Sequence, residues 1–430
     1  MVRINLDVNQ YFSVFLPTLT RLHSGGRVEQ YIRLPSDGLM QMTPISLVLR
    51  GTYMGRMSNR DRFLAVMDYH PVDRVPNYEA GAWAQTRQRW SAEGLNPDTL
   101  HWDWFTGEEY FDMDAREYIP IHFDMVPAFE PEVIEETERH EVIRDSKGRI
   151  RKALKDGAIG NSRTSMDQYL RFAVESRADF RDLRKRFVAD LGKRYPPQWR
   201  ETMLPRWKNR EHVLVLGRNC STLGFYWRAR EWMGTEDLSY AWYDKPDLMH
   251  EMMEFIADFT IEVARPILDA VDVDYVFINE DMAMKQGPLL GPETYRTFVF
   301  PHMKRLVTYL KSNGAKYVIV DSDGNSEPLI SLLMDAGVDG LWPLERASAD
   351  TDPHFLRKKY GRSLRLWGAV DKRELSKDKR AIDVHLVQFA DLIEEGGFIP
   401  TVDHTVPPDI SFDNFCYYME RKKQLLTGRL

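Results

Sequence analysis

Asp403 and His404 stand side by side at the end of a short apolar run, where they could do chemistry together. The run is GGFIPTVD (396–403), and two prolines shortly after the pair stop any regular structure. A carboxylate and an imidazole at a strand end are how α/β barrels present catalytic groups. A neutral His404 could donate a hydrogen bond to a substrate carbonyl or carboxylate, or carry a proton.

Polar and aromatic residues also follow the other apolar runs of the chain. The carboxyl ends of parallel strands meet on one face, so these side chains would line one pocket. We predict that a bound substrate would touch the following side chains: Glu79, Trp83, Arg218, Asn219, Asp281, Lys285, Asp323, Asp371 and Asp403. Several of the acids have a simpler explanation. Asp321 and Asp371 could cap the helices that follow them, and Asp124 could pair with a core arginine.

Crowded carboxylates at one barrel mouth repel each other. Some of them must therefore be protonated, paired with a basic residue, or bound to a cation. Oxygen and nitrogen ligands that would suit zinc or a harder divalent ion are offered by Glu280, Asp321, Glu345 and His404. The alternative is a ring of salt-bridged acids that orients a polar substrate.

Composition excludes several classes of protein. The net charge of −7 over 430 residues argues against a nucleic-acid or anionic-membrane partner. The basic runs 181–186 and 421–423 are interpreted as solvated helix faces. Two cysteines, Cys220 and Cys416, are too few for a disulfide framework, so we expect a cytoplasmic protein. No apolar run approaches the roughly 20 residues that a membrane helix needs.

Short apolar runs alternate with helical patterns from residue 57 onwards. The predicted strands are 75–80, 121–130, 212–219, 273–281, 315–323, 339–345, 365–371 and 398–403. Eight such strands separated by helices predict a (β/α)8 TIM barrel, with an open doubly wound sheet as the alternative. No glycine-rich fingerprint follows the first strand, which disfavours a dinucleotide-binding fold.

Two segments depart from this alternation. Residues 132–157 alternate charged and apolar side chains around Ser146-Lys147-Gly148, which predicts a β-hairpin after the second strand, beside the barrel mouth. Residues 1–56 show no sustained period and are predicted to be a loosely structured extension. The barrel is therefore expected to occupy residues 57–430.

The region from about residue 57 to residue 430 resembles the uroporphyrinogen decarboxylase superfamily. This group of (β/α)8 barrels includes decarboxylases and methyltransferases that use a corrinoid or coenzyme M. The segments that carry the resemblance are FLAVMDYHPVDRVP (63–76), HFDMVP (122–127), STLGFY (221–226), LWGAVD (366–371) and DHTVPPDISFDNF (403–415). The resemblance implies three catalytic residues: Asp124 in the place of a central aspartate, Tyr226 in that of a pocket tyrosine, and His404 in that of a substrate-binding histidine.

Two departures from the family pattern bear on the reaction. Where the decarboxylase carries an Arg-Gln-Ala-Gly-Arg motif that holds the carboxylates of its tetrapyrrole, this chain has Tyr-Glu-Ala-Gly-Ala (78–82). A substrate rich in carboxylates would face like charge there. Where the methyltransferase branch carries a His-x-Cys zinc pair, this chain has Asp321 and Asp323.

These observations predict a methyltransferase that takes a methyl group from a small methylated substrate. The acceptor would be a corrinoid on a partner protein or a thiol coenzyme, and a divalent metal such as zinc could polarise the atom that loses the methyl. The alternatives are a decarboxylase that needs no cofactor and a non-catalytic barrel that binds a small ligand. Family resemblance also implies a homodimer.

Overall fold

The computed structural model describes residues 18–22, 28–32, 56–96, 109–159, 162–163, 165–217, 223–349 and 351–430. The chain divides into two compact units, Met1–Met54 and Gly55–Leu430. In the first unit, strands Thr18–Leu22 and Val28–Ile32 pair antiparallel. Most of the predicted extension, residues 1–56, lies outside the described residues.

A seven-stranded parallel sheet organises the second unit. Its strands are β1 (Arg116–Tyr118), β2 (Val213–Leu216), β3 (Val273–Asn279), β4 (Ala315–Asp321), β5 (Gly340–Leu344), β6 (Arg365–Val370) and β7 (Phe398–Val402). They lie in the order β7-β6-β5-β4-β3-β2-β1. Strands β2, β3, β5 and β7 are buried along their whole length, as parallel strands covered on both faces must be.

Helices connect these strands and cover the sheet. The α-helices are Asn59–Met67, Ala84–Ala92, Arg177–Leu183, Leu191–Arg194, Trp199–Thr202, Leu204–Lys208, Phe225–Met233, Thr235–Asp244, Pro246–Leu268, Pro292–Thr294, Phe300–Ser312, Ile330–Asp335, Arg346–Ala349, Pro353–Tyr360, Lys372–Leu375, Lys379–Val387, Ala390–Glu395 and Phe412–Leu426. Short 3-10 turns occur at Glu109–Phe111, Arg184–Arg186, Glu327–Leu329 and Gly361–Ser363, and a π-turn occurs at Tyr295–Val299. In the part of the chain that the structure describes, no helix is long and apolar enough to span a bilayer.

Two of the predicted strands are wrong in their placement. The strand expected at 121–130 lies earlier, at β1, which ends shortly before Pro120, a residue without an amide to donate to a ladder. Residues 75–80 are extended but do not form a ladder strand. Instead, Ala82 forms an isolated parallel bridge with Val406 beyond β7, and Asn77 accepts a hydrogen bond from the amide of Asp114 before β1.

Aromatic rings from non-adjacent strands meet inside the curved sheet. The ring of Tyr78 stacks on that of Trp367 at 5.5 Å, and Trp367 also contacts Tyr275 at 5.7 Å. Phe63, from the helix Asn59–Met67, packs edge-on against Tyr317 at 6.2 Å. Rings from β3, β4, β6 and the 75–82 segment share one interior, so the architecture is a TIM-barrel-like α/β fold.

The predicted hairpin excursion is confirmed and extends to four strands. Strands Glu132–Glu136, His140–Arg144, Ile150–Leu154 and Gln168–Arg171 form an antiparallel sheet in this order. The turn between the second and third strands spans 145–149, where Asp145 accepts hydrogen bonds from the amides of Lys147 and Arg149. Smaller antiparallel pairs join Ala158–Ile159 to Ser162–Arg163 and Ala283–Met284 to Gly287–Pro288.

Gly224 allows the helix Phe225–Met233 to begin directly against β3. A Cβ atom at this position would lie 1.7 Å from the carbonyl oxygen of Asn279. Gly224→Ala should therefore force the helix away from the strand and lower the free energy of unfolding by about 1–3 kcal/mol in urea titrations. Gly291→Ala is the matched control, because Gly291 also caps a helix but a Cβ atom there would have no neighbour within 4 Å. Equal losses in the two variants would contradict this explanation.

Candidate active site

Four of the predicted residues come together at the carboxyl ends of β3, β4 and β7. We call Asp281, Asp321, Asp323 and His404 the acid–histidine cluster. His404 Nε2 lies 3.3 Å from Asp323 Oδ2, although β4 and β7 are separated in the sheet by two other strands. Asp321 lies within electrostatic range of both Asp281 and Asp323. The curvature of the sheet is what makes this meeting possible.

Asp321 is the most deeply buried acid of this cluster. It is the last residue of β4, and its side chain is almost fully buried. Burial raises the pKa of Asp321 well above its ordinary value, and the charges of Asp323 and Asp281 raise it further. A buried carboxylic acid with a raised pKa can serve as a general acid.

His404 forms one wall of the cluster together with Trp83. The imidazole and indole rings stack at 5.9 Å with an angle of 25° between their planes, and Trp83 is 40% exposed. Burial lowers the pKa of His404, but the hydrogen bond and charge of Asp323 outweigh it, and the net shift is upward. The imidazole is therefore suited to accept and release a proton near neutral pH.

Asp281 and Glu280 fasten the helix Phe225–Met233 to the end of β3. Arg230 of this helix forms an ion pair with Asp281, whose φ of 38° lies in the left-handed region. Glu280 is fully buried and accepts hydrogen bonds from the amides of Phe225 at 3.0 Å and Tyr226 at 2.7 Å. Burial raises the pKa of Glu280 to about 7, although the backbone amides oppose the shift.

Glu345 and Asp403 hold the loops after β4, β5 and β6. Glu345 accepts a hydrogen bond from the amide of Gly324 at 3.0 Å and pairs with Lys372 at 3.2 Å. Asp403 is completely buried and accepts hydrogen bonds from the amides of Arg346, Ala347 and Lys372 at 2.7–3.2 Å. The carboxylate of Asp403 thus organises neighbouring loops and is not placed to contact a substrate.

The predicted metal ligands do not form a single coordination set. Glu280 is engaged by backbone amides, Glu345 is engaged by an amide and a lysine, and His404 faces Asp323. Within the described ranges, no group of three or more His, Cys, Asp or Glu side chains is arranged to hold a metal ion. The residues present therefore do not fit the predicted metal centre.

Other predicted substrate contacts have different surroundings. Asp371 caps the helix Lys372–Leu375 and pairs with Arg373, which is the helix-capping role that the sequence offered as the alternative to a substrate contact. Lys285 lies exposed in the turn between Ala283–Met284 and Gly287–Pro288. Glu79 is fully buried against Lys422 and does not face the cluster. Arg218 and Asn219 lie outside the described residues.

Asp124 belongs to a second charged group, in which two cations alternate with two carboxylates. Asp124 pairs with Arg228 at 3.1 Å and with Lys147, and Glu231 pairs with both cations at 2.9 and 3.1 Å. Lys147 lies in the turn of the four-stranded excursion, so this network ties the excursion to the barrel. The core-arginine alternative for Asp124 therefore accounts for one of its two ion pairs, the one with Arg228.

Tyr226 lies at the start of the helix Phe225–Met233, with its side chain buried. Its hydroxyl has no hydrogen-bond partner among the described residues. Burial raises the pKa of the phenol to about 12, and the charge of Asp281 acts in the same direction. Tyr226 is thus a neutral hydroxyl near the acid–histidine cluster.

Sequence reasoning misses the basic partners of these acids. Arg230 pairs with Asp281, Lys147 and Arg228 pair with Asp124, and Lys422 pairs with Glu79. The interpretation of the basic run 421–423 as a solvated face is wrong for Lys422, which is buried. Helical spacing could have indicated this, because Phe415 and Tyr418, seven and four residues before Lys422, are aromatic and lie on the same face.

Comparison with known proteins agrees with the fold. The family model described as uroporphyrinogen decarboxylase (URO-D) matches residues 227–425. The uroporphyrinogen decarboxylase of Nocardia farcinica (strain IFM 10152) is 28% identical over 176 residues, which cover 39% of this chain and 46% of that protein. The uroporphyrinogen decarboxylase of Gloeobacter violaceus (strain ATCC 29082 / PCC 7421) is 23% identical over 188 residues, which cover 43% of this chain and 50% of that protein. The chain thus spans about half the length of these curated relatives.

A solved structure extends the likeness over most of the chain. A methyltransferase from Methanosarcina mazei superposes with a TM-score of 0.53, at 16% sequence identity, and covers 86% of this chain and 99% of that one. At this identity the likeness concerns the fold alone. The sequence matches show that residues 227–425 are similar to uroporphyrinogen decarboxylases, and the solved structure adds a likeness of fold over most of the chain.

Proposed function

We propose that this chain is an enzyme that removes a methyl group from the oxygen of a small methylated compound and transfers it to an acceptor. The observation that carries the proposal is the buried acid Asp321, which lies beside the His404–Asp323 pair at the strand ends and whose pKa is raised by that burial. The acceptor would be a thiol coenzyme or a corrinoid carried by a partner protein.

The proposed step breaks the bond between the methyl carbon and the substrate oxygen. The nucleophilic atom of the acceptor supplies the electron pair of the new bond to the methyl carbon, and the electrons of the broken bond remain on the oxygen. Asp321 donates its proton to this oxygen, because a protonated leaving group departs more readily than an alkoxide. His404, whose pKa is raised by Asp323, then returns a proton to Asp321 from solvent.

The charges around the cluster favour a substrate without several carboxylates. Arg230 is paired with Asp281, and Lys372 is paired with Glu345. Segment 78–82 contributes a buried Glu79 in place of arginines. A tetrapyrrole with many carboxylates would meet Asp323 with few described cations left to bind it.

Decarboxylation is the second candidate function. It is supported by the names of the two relatives and by Asp124, since Lys147 and Arg228 favour its ionised form. An ionised Asp124 could stabilise a positively charged intermediate electrostatically. This reaction would need no methyl acceptor.

Product analysis with added acceptors separates the two candidates. Purified protein would be incubated with 2-methoxyphenol or methanol carrying a 13C-methyl group, with 2-mercaptoethanesulfonate or free cob(I)alamin as the acceptor. We expect a 13C-methyl thioether or methylcobalamin by NMR, and no loss of CO2 from uroporphyrinogen by mass spectrometry. Release of CO2 from uroporphyrinogen without any methyl transfer would overturn the proposal in favour of decarboxylation.

A further inference from the structure

Glu79 and Lys422 form an ion pair that is closed off from solvent. Both side chains have no exposed surface, and Lys422 Nζ lies 2.6 Å from Glu79 Oε1. The same oxygen accepts a hydrogen bond from the hydroxyl of Tyr418 at 2.5 Å, and Lys422 also donates to the carbonyl of Tyr78 at 2.6 Å. This pair joins the 75–82 segment to the C-terminal helix Phe412–Leu426.

The second oxygen of Glu79 is directed at the strand that carries His404. Glu79 Oε2 accepts a hydrogen bond from the amide of Val402 at 2.9 Å. Val402 is the last residue of β7 and precedes His404 by two positions. In a ladder this amide would bond to a main-chain carbonyl of the neighbouring strand. Here a side chain takes that place, which explains why the 75–80 segment lacks regular pairing.

The same segment carries Trp83 to the opposite side of His404. Beyond Glu79, the carbonyl of Gly81 accepts from the amide of Val406, and the amide of Trp83 donates to the carbonyl of Val406. These bonds bracket His404 and align the indole of Trp83 with the imidazole. The register between 79–83 and 402–406 therefore determines the geometry of the stacked pair.

We propose that Glu79 and Lys422 are positioning residues, which set the stacked Trp83–His404 pair that walls the acid–histidine cluster. The role of that wall in catalysis rests on the proposed function, but the geometry does not. Lys422 holds the Glu79 carboxylate in place, Glu79 fixes the end of β7, and β7 presents His404 to Trp83. Glu79 thus acts on the site through the backbone, whereas the sequence predicts that it touches substrate.

A purely space-filling role would give different behaviour. Apolar or neutral residues of similar volume can replace a buried ion pair without loss of stability. The double variant Glu79→Gln/Lys422→Met can therefore fold even if the single variants do not. If the pair positions His404, this folded double variant should still have an altered Trp83–His404 contact.

The test is 19F NMR of protein labelled with 5-fluorotryptophan. The chain contains eleven tryptophans, and Trp83→Phe identifies the resonance of Trp83 by its disappearance. His404→Ala gives the chemical shift of Trp83 without its stacking partner. Glu79→Gln, Lys422→Met and the double variant should move the Trp83 resonance from the wild-type position toward the His404→Ala position.

Two further variants complete the experiment. Lys423 lies in the same helix as Lys422 and forms an exposed ion pair with Asp112. Lys423→Met removes that ion pair and should leave the Trp83 resonance unchanged. Tyr418→Phe removes a single hydrogen bond to Glu79 and should shift the Trp83 resonance by a smaller amount in the same direction. If the Glu79 and Lys422 variants fail to fold, the Tyr418→Phe variant tests the proposal. A wild-type Trp83 resonance in every folded variant of Glu79, Lys422 and Tyr418 would overturn the proposal. The measurement needs no substrate, so its outcome is separate from that of the methyl-transfer assay.

Discussion

Replacing Asp321 by asparagine should lower kcat by about 10²–10⁴-fold, the range typical of a lost general acid. Asparagine keeps the size of the side chain but has no acidic proton to give to the leaving oxygen. The residue is buried at the end of β4 beside Asp281 and Asp323, so water cannot easily take over its role. Initial rates of 13C-methyl transfer at saturating donor and acceptor would measure the change.

The pH dependence provides an independent check on Asp321. Because its pKa is raised well above the ordinary value, the active protonated form persists to higher pH than for an ordinary aspartate and is lost as the pH rises through the raised pKa. The wild-type rate should therefore fall on the alkaline side, and the residual rate of Asp321→Asn should lack this fall. Asp335→Asn, in the exposed end of the helix after β4, should retain at least half of the activity. An Asp321→Asn enzyme with more than a tenth of wild-type kcat would refute the role of Asp321.

Replacing Lys422 by methionine should lower the free energy of unfolding by about 3–5 kcal/mol. The substitution leaves the carboxylate of Glu79 buried without its counter-ion, retaining only the hydrogen bonds from Tyr418 and Val402. A buried charge without a partner keeps most of its desolvation penalty. Urea unfolding followed by circular dichroism would measure the loss.

Two companion variants separate this effect from simple loss of a lysine. Lys423→Met, on the neighbouring exposed position, should change stability by no more than about 0.5 kcal/mol. Adding Glu79→Gln to Lys422→Met should recover more than half of the loss, because the uncompensated charge is removed. A double variant no more stable than Lys422→Met would show that the loss comes from packing and not from charge.

Strand positions with strong local signals can be predicted from the sequence. The runs that form β3, β4, β6 and β7 are apolar on both faces and end in acids, and the structure places them close to their expected bounds. Segment 75–80 has a similar local pattern, but it bonds to β7 through the side chain of Glu79. The strand propensities of its residues do not indicate this kind of pairing. Pairing between distant segments decides this case.

The candidate site can be predicted in part for the same reason. Asp323 and His404 are identifiable from their places at strand ends, but their contact requires the sheet to curl across β4–β7. The sequence assigns Glu79 to the pocket because its partner Lys422 lies 343 residues away in the chain. The roles of the acids depend on which cations reach them, and the sequence gives no local sign of that.

Asp403 has a consequence for any attempt to redesign this barrel. Its carboxylate, which follows β7, accepts hydrogen bonds from backbone amides in the loops after β5 and β6. If one of these loops were replaced by a loop from another barrel, Asp403 would lose some of its hydrogen bonds. The positions of the other two loops would then be disturbed. Loop exchange for new specificity should therefore transplant the three loops as one cassette.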